Sequence, residues 1–312
     1  WKEMAELGLL GMLVSEEHGG PAMDNLAYVT ALEEIAVGCA STSTAMSVQN
    51  SLAIFPINTF GNDEQKAKYL PPMASGEKVG CYGLTEPGSG SDAAAMKMTW
   101  EKKGDRYILN GTKQFITNAP EAEVSVIYAV SDPKLRHKGI NAFIVENGFP
   151  GYSIGKKEDK MGIRGSTTAS IILEDCEVPE ENLLGTENKG FTVAMATLDG
   201  GRIGIATQAL GIARAALEAA TAYAQEREQF GGPIANLQAI QWKLADMATR
   251  VDACRLLIRR AAWLKDQGQK HTIEASMAKL MSAEAAVWCT NHAVQIHGGY
   301  GYTKEYVVER LY

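Results

Sequence analysis

The chain has 312 residues and a mass of 33.6 kDa, with 46% apolar and 21% charged residues. That balance belongs to a folded chain with length for about two domains, not to a disordered one. A net charge of −7, from 30 Lys and Arg against 37 Asp and Glu, without a block of basic residues, makes nucleic acid a poor candidate partner. No apolar run reaches membrane-spanning length. The five cysteines (Cys39, Cys81, Cys176, Cys254 and Cys289) are widely spaced and never form a CxxC pair. This argues for buried free thiols in a reducing compartment and against structural zinc.

The chain starts at Trp1 inside an apparent helix and stops at Tyr312 shortly after a new segment begins, the pattern of a fragment. Residues 1–78 read as an N-terminal helical domain. Its strongest segment is Asn25–Val37, where Leu26, Val29, Leu32 and Ile35 recur at helical spacing. Asn62 followed by Gln65 predicts a helix start with a reciprocal cap. From 79 to 187 the period changes to short β-rich runs (Arg106–Leu109, Val124–Val130, Ala142–Val145, Ser170–Leu173) separated by turn residues and without long helices between them. An antiparallel middle domain follows. From 188 to 312 the pattern is helical. Leu237, Ile240, Leu244, Met247, Val251, Cys254, Ile258 and Ala261 are spaced as the seam of a bundle helix, and a second helix covers about Thr272–Ile296. Nine of the ten prolines lie at or before Pro179. The fold class is α+β in an α–β–α order, ending in an incomplete four-helix bundle.

Common catalytic templates fail. The histidines form no HExxH, His292 and His297 do not share a helix face, and there is no GxSxG elbow. Gly88-x-Gly90-x-x-Ala93 matches a loosened dinucleotide fingerprint, but no βαβ unit follows it. The loop Thr85-Glu-Pro-Gly-Ser-Gly-Ser-Asp92 can still turn backbone N–H groups and hydroxyls toward an anion, with a solvent-exposed turn as the equal alternative. Gly111-Thr-Lys-Gln-Phe-Ile-Thr-Asn118 alone reads as a strand with a hydroxyl face. Gln295-Ile-His-Gly-Gly-Tyr-Gly-Tyr302 reads as a helix end capped near Gly298.

Taken together, EEHGG at 16–20, TEPGSGSD at 85–92, NGTKQFITN at 110–118, KKEDKMGIRGS at 156–166, LDGGRIGIATQALGIA at 198–213, EREQFGGPI at 226–234 and QIHGGYGYTKEY at 295–306 resemble the acyl-CoA dehydrogenase family in order and spacing. The wording at 156–166 and 198–213 is most similar to its short-chain, butyryl-CoA branch. The resemblance implies an FAD flavoprotein of fatty acid β-oxidation, a homotetramer in the bacterial cytoplasm or mitochondrial matrix. It would oxidise a short-chain acyl-CoA to the trans-2-enoyl-CoA and pass electrons to electron-transferring flavoprotein. It also leaves open a flavin oxidase or monooxygenase on the same scaffold, or a non-catalytic FAD- or acyl-CoA-binding chain.

Residue by residue, the resemblance places Tyr82, Gly83, Leu84 and Thr85 along the flavin ring, and Gly90 and Ser91 near the FAD phosphates or the CoA arm. Phe115, Ile116 and Thr117 lie against the other flavin face; many members carry Trp at the position of Phe115. Arg227 matches an arginine that reaches a pyrophosphate across a subunit interface, with Phe230 and Gln238 nearby. Gln295, Gly298 and Gly299 match the stretch around the partner subunit's adenine, and Asp199 and Arg202 lie beside the substrate's CoA arm. His297 stands where several relatives have an aliphatic residue. The resemblance implies a catalytic base on a Glu in a YEGT-like motif, expected downstream of Tyr312, or, as in some members of the family, on the bundle helix at the position held here by Gly201. No catalytic or metal-binding residue is therefore assigned within the chain.

Overall fold

The computed structural model describes all 312 residues. In chain order its helices are α1 (Lys2–Glu6), α2 (Asn25–Gly38), α3 (Ala40–Ser47), α4 (Phe55–Phe60), α5 (Asp63–Ala74), α6 (Gly190–Glu226), α7 (Gln238–Asp266), α8 (Thr272–His297) and α9 (Val308–Leu311). A π-helical stretch, Val48–Ile54, joins α3 to α4. The strands are β1 (Gly80–Gly83), β2 (Thr99–Lys103), β3 (Arg106–Thr117), β4 (Val124–Val130), β5 (Ile140–Glu146), β6 (Tyr152–Lys157), β7 (Thr168–Pro179), β8 (Leu183–Leu184), β9 (Glu228–Gln229) and β10 (Gly232–Pro233). The N-terminal helices, middle sheet and C-terminal helices follow the order expected from periodicity. Contacts divide the chain into two units, Trp1–Asp24 with Thr44–Gly201 and Asn25–Ser43 with Arg202–Tyr312.

In the first unit the main sheet runs β6-β7-β3-β2-β4-β5-β8, with β1 added on β4. Most pairs are antiparallel, as expected, but β1 lies parallel to β4, Tyr82 opposite Val126. A parallel pair needs a long crossover, and here the β2–β3 hairpin supplies it. Strand β4 is buried along its whole length because each face meets a core. Val124, Val126, Tyr128 and Val130 pack with Ile54, Ile57, Leu70 and Met73, while Ile127 and Ala129 join Leu109, Phe143 and Ile171. The period-two alternation of Cβ directions explains why a strand with two buried faces is apolar at nearly every position. The cap at α5 forms in both directions: Asn62 Oδ1 accepts from Gln65 N at 2.8 Å, and Gln65 Oε1 accepts from Asn62 N at 3.1 Å. In the π-helical stretch Gln49 is fully buried; it donates to the Met73 carbonyl at 2.9 Å and accepts from Gly80 N at 2.7 Å.

In the second unit α2 packs with the C-terminal helices. Asp266, at the end of α7, accepts from Asn25 N, Asn25 Nδ2 and Leu26 N at 2.7, 2.6 and 3.2 Å, satisfying N–H groups that a helix start leaves without intrahelical partners. Glu33, buried on α2, is paired by Arg255 at 2.8 Å and Arg214 at 3.3 Å, so its charge is compensated where it leaves water. Of the α7 seam, Met247, Val251, Cys254, Ile258 and Ala261 are buried, and Leu237, Ile240 and Leu244 half-buried. Helix α8 is inverted relative to size. It buries Ala275, Ala278, Ser282, Ala285, Cys289 and Ala293 and exposes Ile273, Met277, Leu280 and Val287. Small residues on the buried face let helices approach closely, which leaves the large apolar ones outside. All five cysteines are unpaired; four are buried as expected, whereas Cys39, between α2 and α3, is exposed.

Candidate functional site

The first cluster of expected site residues lies on β1, the loop after it, and the end of β3. Tyr82 packs on Tyr128 with ring centroids 5.2 Å apart. A Cβ on Gly83 would sit 2.5 Å from Ile127 Cδ1 and 3.3 Å from Lys113 Cγ, so a side chain there would displace Ile127. The loop closes on itself through reciprocal backbone bonds between Glu86 and Ser89, and Ser89 Oγ donates to the Asp92 carbonyl at 2.7 Å. Ser89 is thereby spent internally, whereas Gly90 and Ser91 are exposed.

Strand β3 carries one extra residue against β7 between Lys113 and Ile116. This β-bulge breaks the alternation of faces. Phe115 adopts φ +59° and turns its ring out, 64% exposed, while Ile116 on the next position is buried and Thr117 half-buried. A bulky residue in the left-handed region is strained by roughly 1–3 kcal/mol and persists only where its surroundings hold it. Gln114 does so on one side, donating N–H to the Thr85 carbonyl at 2.8 Å and Nε2 to Glu158 at 2.7 Å. Lys113 holds the other. Fully buried, it donates Nζ to Glu86 Oε1 at 2.7 Å and to the Leu84 carbonyl at 3.2 Å. Burial pushes its ammonium down, to about 8, against the pull of Glu86. This pair escaped the sequence reading, although alternation along Tyr107, Leu109, Gly111 and Lys113 points Lys113 inward.

The second cluster surrounds a cavity of about 530 Å³ lined by Tyr223, Arg227, Ile234, His297, Gly298 and Gly299 among others. Arg227 is exposed and lies over the Tyr300 ring at 5.8 Å. Gly298 ends α8 at φ +60°, a turn that favours glycine. Phe230 and Gly231 form the two-residue turn between β9 and β10 with φ +54° and +87°, the positive-φ pairing of a type I′ hairpin. Phe230 projects outward, 92% exposed. The structure thus brings Arg227, Gly298 and Gly299 to one cavity; Phe230, Gln238 and Gln295 are exposed and do not line it. Asp199 and Arg202, both half-buried, lie one helical turn apart on α6.

His297 stacks on Tyr223 at 4.2 Å and 22°, with Nδ1 2.8 Å from the Ala293 carbonyl. Burial holds its imidazole below the usual histidine range. The unfolded chain then binds this proton more readily than the native one, so the contribution is a loss of stability as pH falls below about 6.5. His297→Leu is expected to reduce the drop in melting temperature between pH 7.5 and 5.5. An equal drop in both proteins would remove His297 as the cause.

Gly201, which the resemblance puts at the bundle-helix base position, faces Leu52: a Cβ built there would lie 2.7 Å from Leu52 Cδ2. The position is closed to any larger residue unless Leu52 moves.

These two clusters fall in a chain that matches the acyl-CoA dehydrogenase N-terminal domain over residues 1–77, the middle domain over 81–176 and the C-terminal domain over 188–312. The chain belongs to the acyl-CoA dehydrogenase family. It is 53% identical to the mitochondrial short-chain specific acyl-CoA dehydrogenase of Rattus norvegicus, over 100% of this chain and 76% of that protein. Among solved structures it resembles butyryl-CoA dehydrogenase from Megasphaera elsdenii, with a TM-score of 0.97, 46% identity, and coverage of 99% of this chain and 82% of that one. It also resembles an acyl-CoA dehydrogenase complexed with FAD from Bacillus anthracis, with a TM-score of 0.94, 39% identity, and coverage of 100% and 56%.

Proposed function

We propose that this chain forms the FAD- and acyl-CoA-binding part of a short-chain acyl-CoA dehydrogenase, which converts a thioester such as butyryl-CoA to its trans-2-enoyl form and hands electrons to electron-transferring flavoprotein. The observation that carries this reading is the outturned Phe115 bulge, tied through Gln114 N–H to the Thr85 carbonyl, in a chain whose whole length matches 76% of a short-chain member.

The donor set suits FAD. Phe115 offers an exposed aromatic surface for a planar ring. Gly88, Gly90, Gly298 and Gly299 leave open space where a side chain would stand, so backbone can approach a ligand. Arg227 offers a guanidinium to a pyrophosphate beside a cavity. When bound, FAD supplies the acceptor for the hydride leaving the substrate's β-carbon. The chain's part is positioning. In the first unit Tyr82–Thr85 and Phe115–Thr117 would hold the ring and Ser91 a phosphate; in the second, Arg227 would reach a pyrophosphate across a subunit interface; and Asp199 and Arg202 on α6 would orient the CoA arm. The α-proton goes to a carboxylate, and Gly201 offers none. Purified protein is expected to show a flavin absorption spectrum that butyryl-CoA perturbs more than longer or branched thioesters do. A colourless protein, or a band that no thioester alters, would overturn the reading.

Assembly as a homotetramer is part of the same proposal. It is supported by the apolar stripe of α8, where Ile273, Met277, Leu280 and Val287 are 68, 51, 61 and 68% exposed, since large apolar residues grouped on one exposed helix face favour an interface. Leu280→Glu is expected to shift the protein to smaller species in light scattering. An unchanged mass would place the interface elsewhere.

A further inference from the structure

A buried lysine is an expensive residue for a strand interior, and a neutral, well-packed pair of the same volume serves folding as well or better. Lys113 and Glu86 are nevertheless both buried and paired at 2.7 Å. Their hydrogen bonds converge on three segments. Lys113 Nζ also reaches the Leu84 carbonyl at 3.2 Å. The Glu86 carboxylate accepts from Lys97 N at 2.6 Å and Met98 N at 3.0 Å, closing the glycine-rich loop at its far end. Thr85 stands between Leu84 and Glu86 and accepts from Gln114 N; Phe115, at φ +59°, is two residues past Lys113. The residues of the first unit assigned to the flavin ring, Tyr82–Thr85 and Phe115–Thr117, therefore lie within four residues of one member of the pair.

We propose that the Lys113–Glu86 ion pair is a positioning device for the flavin site, acting through the Leu84 carbonyl on the end of β1 and through the bulge on Phe115. The proposal rests on the FAD reading above. Two flavin-facing segments from different strands must keep a fixed separation. Hydrogen bonds of fixed length from one ammonium and one carboxylate set that separation more tightly than apolar packing, which tolerates sliding.

The test compares wild type with Lys113→Met and with the double variant Lys113→Met/Glu86→Gln, which leaves no uncompensated charge. FAD affinity of the apoprotein is read by flavin fluorescence, fold by apoprotein melting, and ring environment by the visible band of bound flavin. The single variant is expected to lose melting temperature and FAD affinity together. The double variant is expected to recover part of the melting temperature that the single variant loses yet bind FAD at least tenfold more weakly, with a shifted visible band. FAD affinity within twofold of wild type and an unshifted band in the double variant would overturn the proposal. So would a double variant that does not fold, because the pair would then serve the fold itself. A wild type that binds no FAD would reject the cofactor reading and the proposal with it, a result separable from the others by the wild-type control.

Discussion

Replacing Arg227 by alanine is expected to weaken FAD binding by about 1.5–3 kcal/mol, roughly ten- to a hundredfold in dissociation constant, the range of a hydrogen bond to a charged group. The reason is geometric and electrostatic. The guanidinium stands at the rim of the cavity that Gly298 and Gly299 help to line, over the Tyr300 ring, and its backbone is fixed by the bond from Ile234 N to the Arg227 carbonyl at 2.8 Å. It is therefore presented in place before a ligand arrives, and truncation removes the charge without disturbing a core. The flavin-to-protein ratio after gel filtration reads the effect. A ratio equal to wild type would remove Arg227 from the site. Lys in its place is expected to recover only part of the loss, since an ammonium cannot reproduce a two-pronged contact.

The second large effect concerns the base. The resemblance puts Gly201 at the position of a bundle-helix base carboxylate, and a Cβ built there would lie 2.7 Å from Leu52 Cδ2. Gly201→Glu alone is expected to overpack this contact, at a cost of about 1–3 kcal/mol in stability, and to yield little activity. Combined with Leu52→Ala, the same carboxylate has room. Because a positioned general base contributes about 10²–10⁴ in rate, the double variant of residues 1–312 is expected to oxidise butyryl-CoA with a dye acceptor at least a hundredfold faster than the unaltered chain. Equal rates in the two proteins would show that position 201 cannot serve as the base in this chain.

Much of the architecture was legible from short-range pattern. The helical spacing of Leu26, Val29 and Leu32 and the Asn62–Gln65 cap are local signals, and local hydrogen bonding realises both. The run Val124–Val130 announced a strand, which the structure buries along its whole length. It did not announce that β1 would lie parallel to it, because pairing direction depends on how the intervening hairpin routes the chain. Helix α8 shows the limit of periodicity most directly. Its large apolar residues mark a face, but whether that face is core or exterior is decided by what neighbouring helices bring to it. Here alanines took the inside.

For the site, motif order alone identified the family and nominated Phe115, Arg227 and the glycines. Which of them share a cavity, and how Phe115 is turned out, came only from tertiary structure. A bulge is a mismatch between two strands, β3 and β7, that lie over fifty residues apart in sequence, and neither strand carries it alone. The same holds for Lys113. In sequence it is one lysine in a polar run, and in the fold it is an ammonium sealed against Glu86. Composition, charge, periodicity and motif order are properties of neighbours along the chain, so sequence by itself determined class, element order and the list of candidate residues. Burial, register and electrostatic pairing arise between segments distant in sequence, so the tertiary structure decided the geometry in which those residues can act.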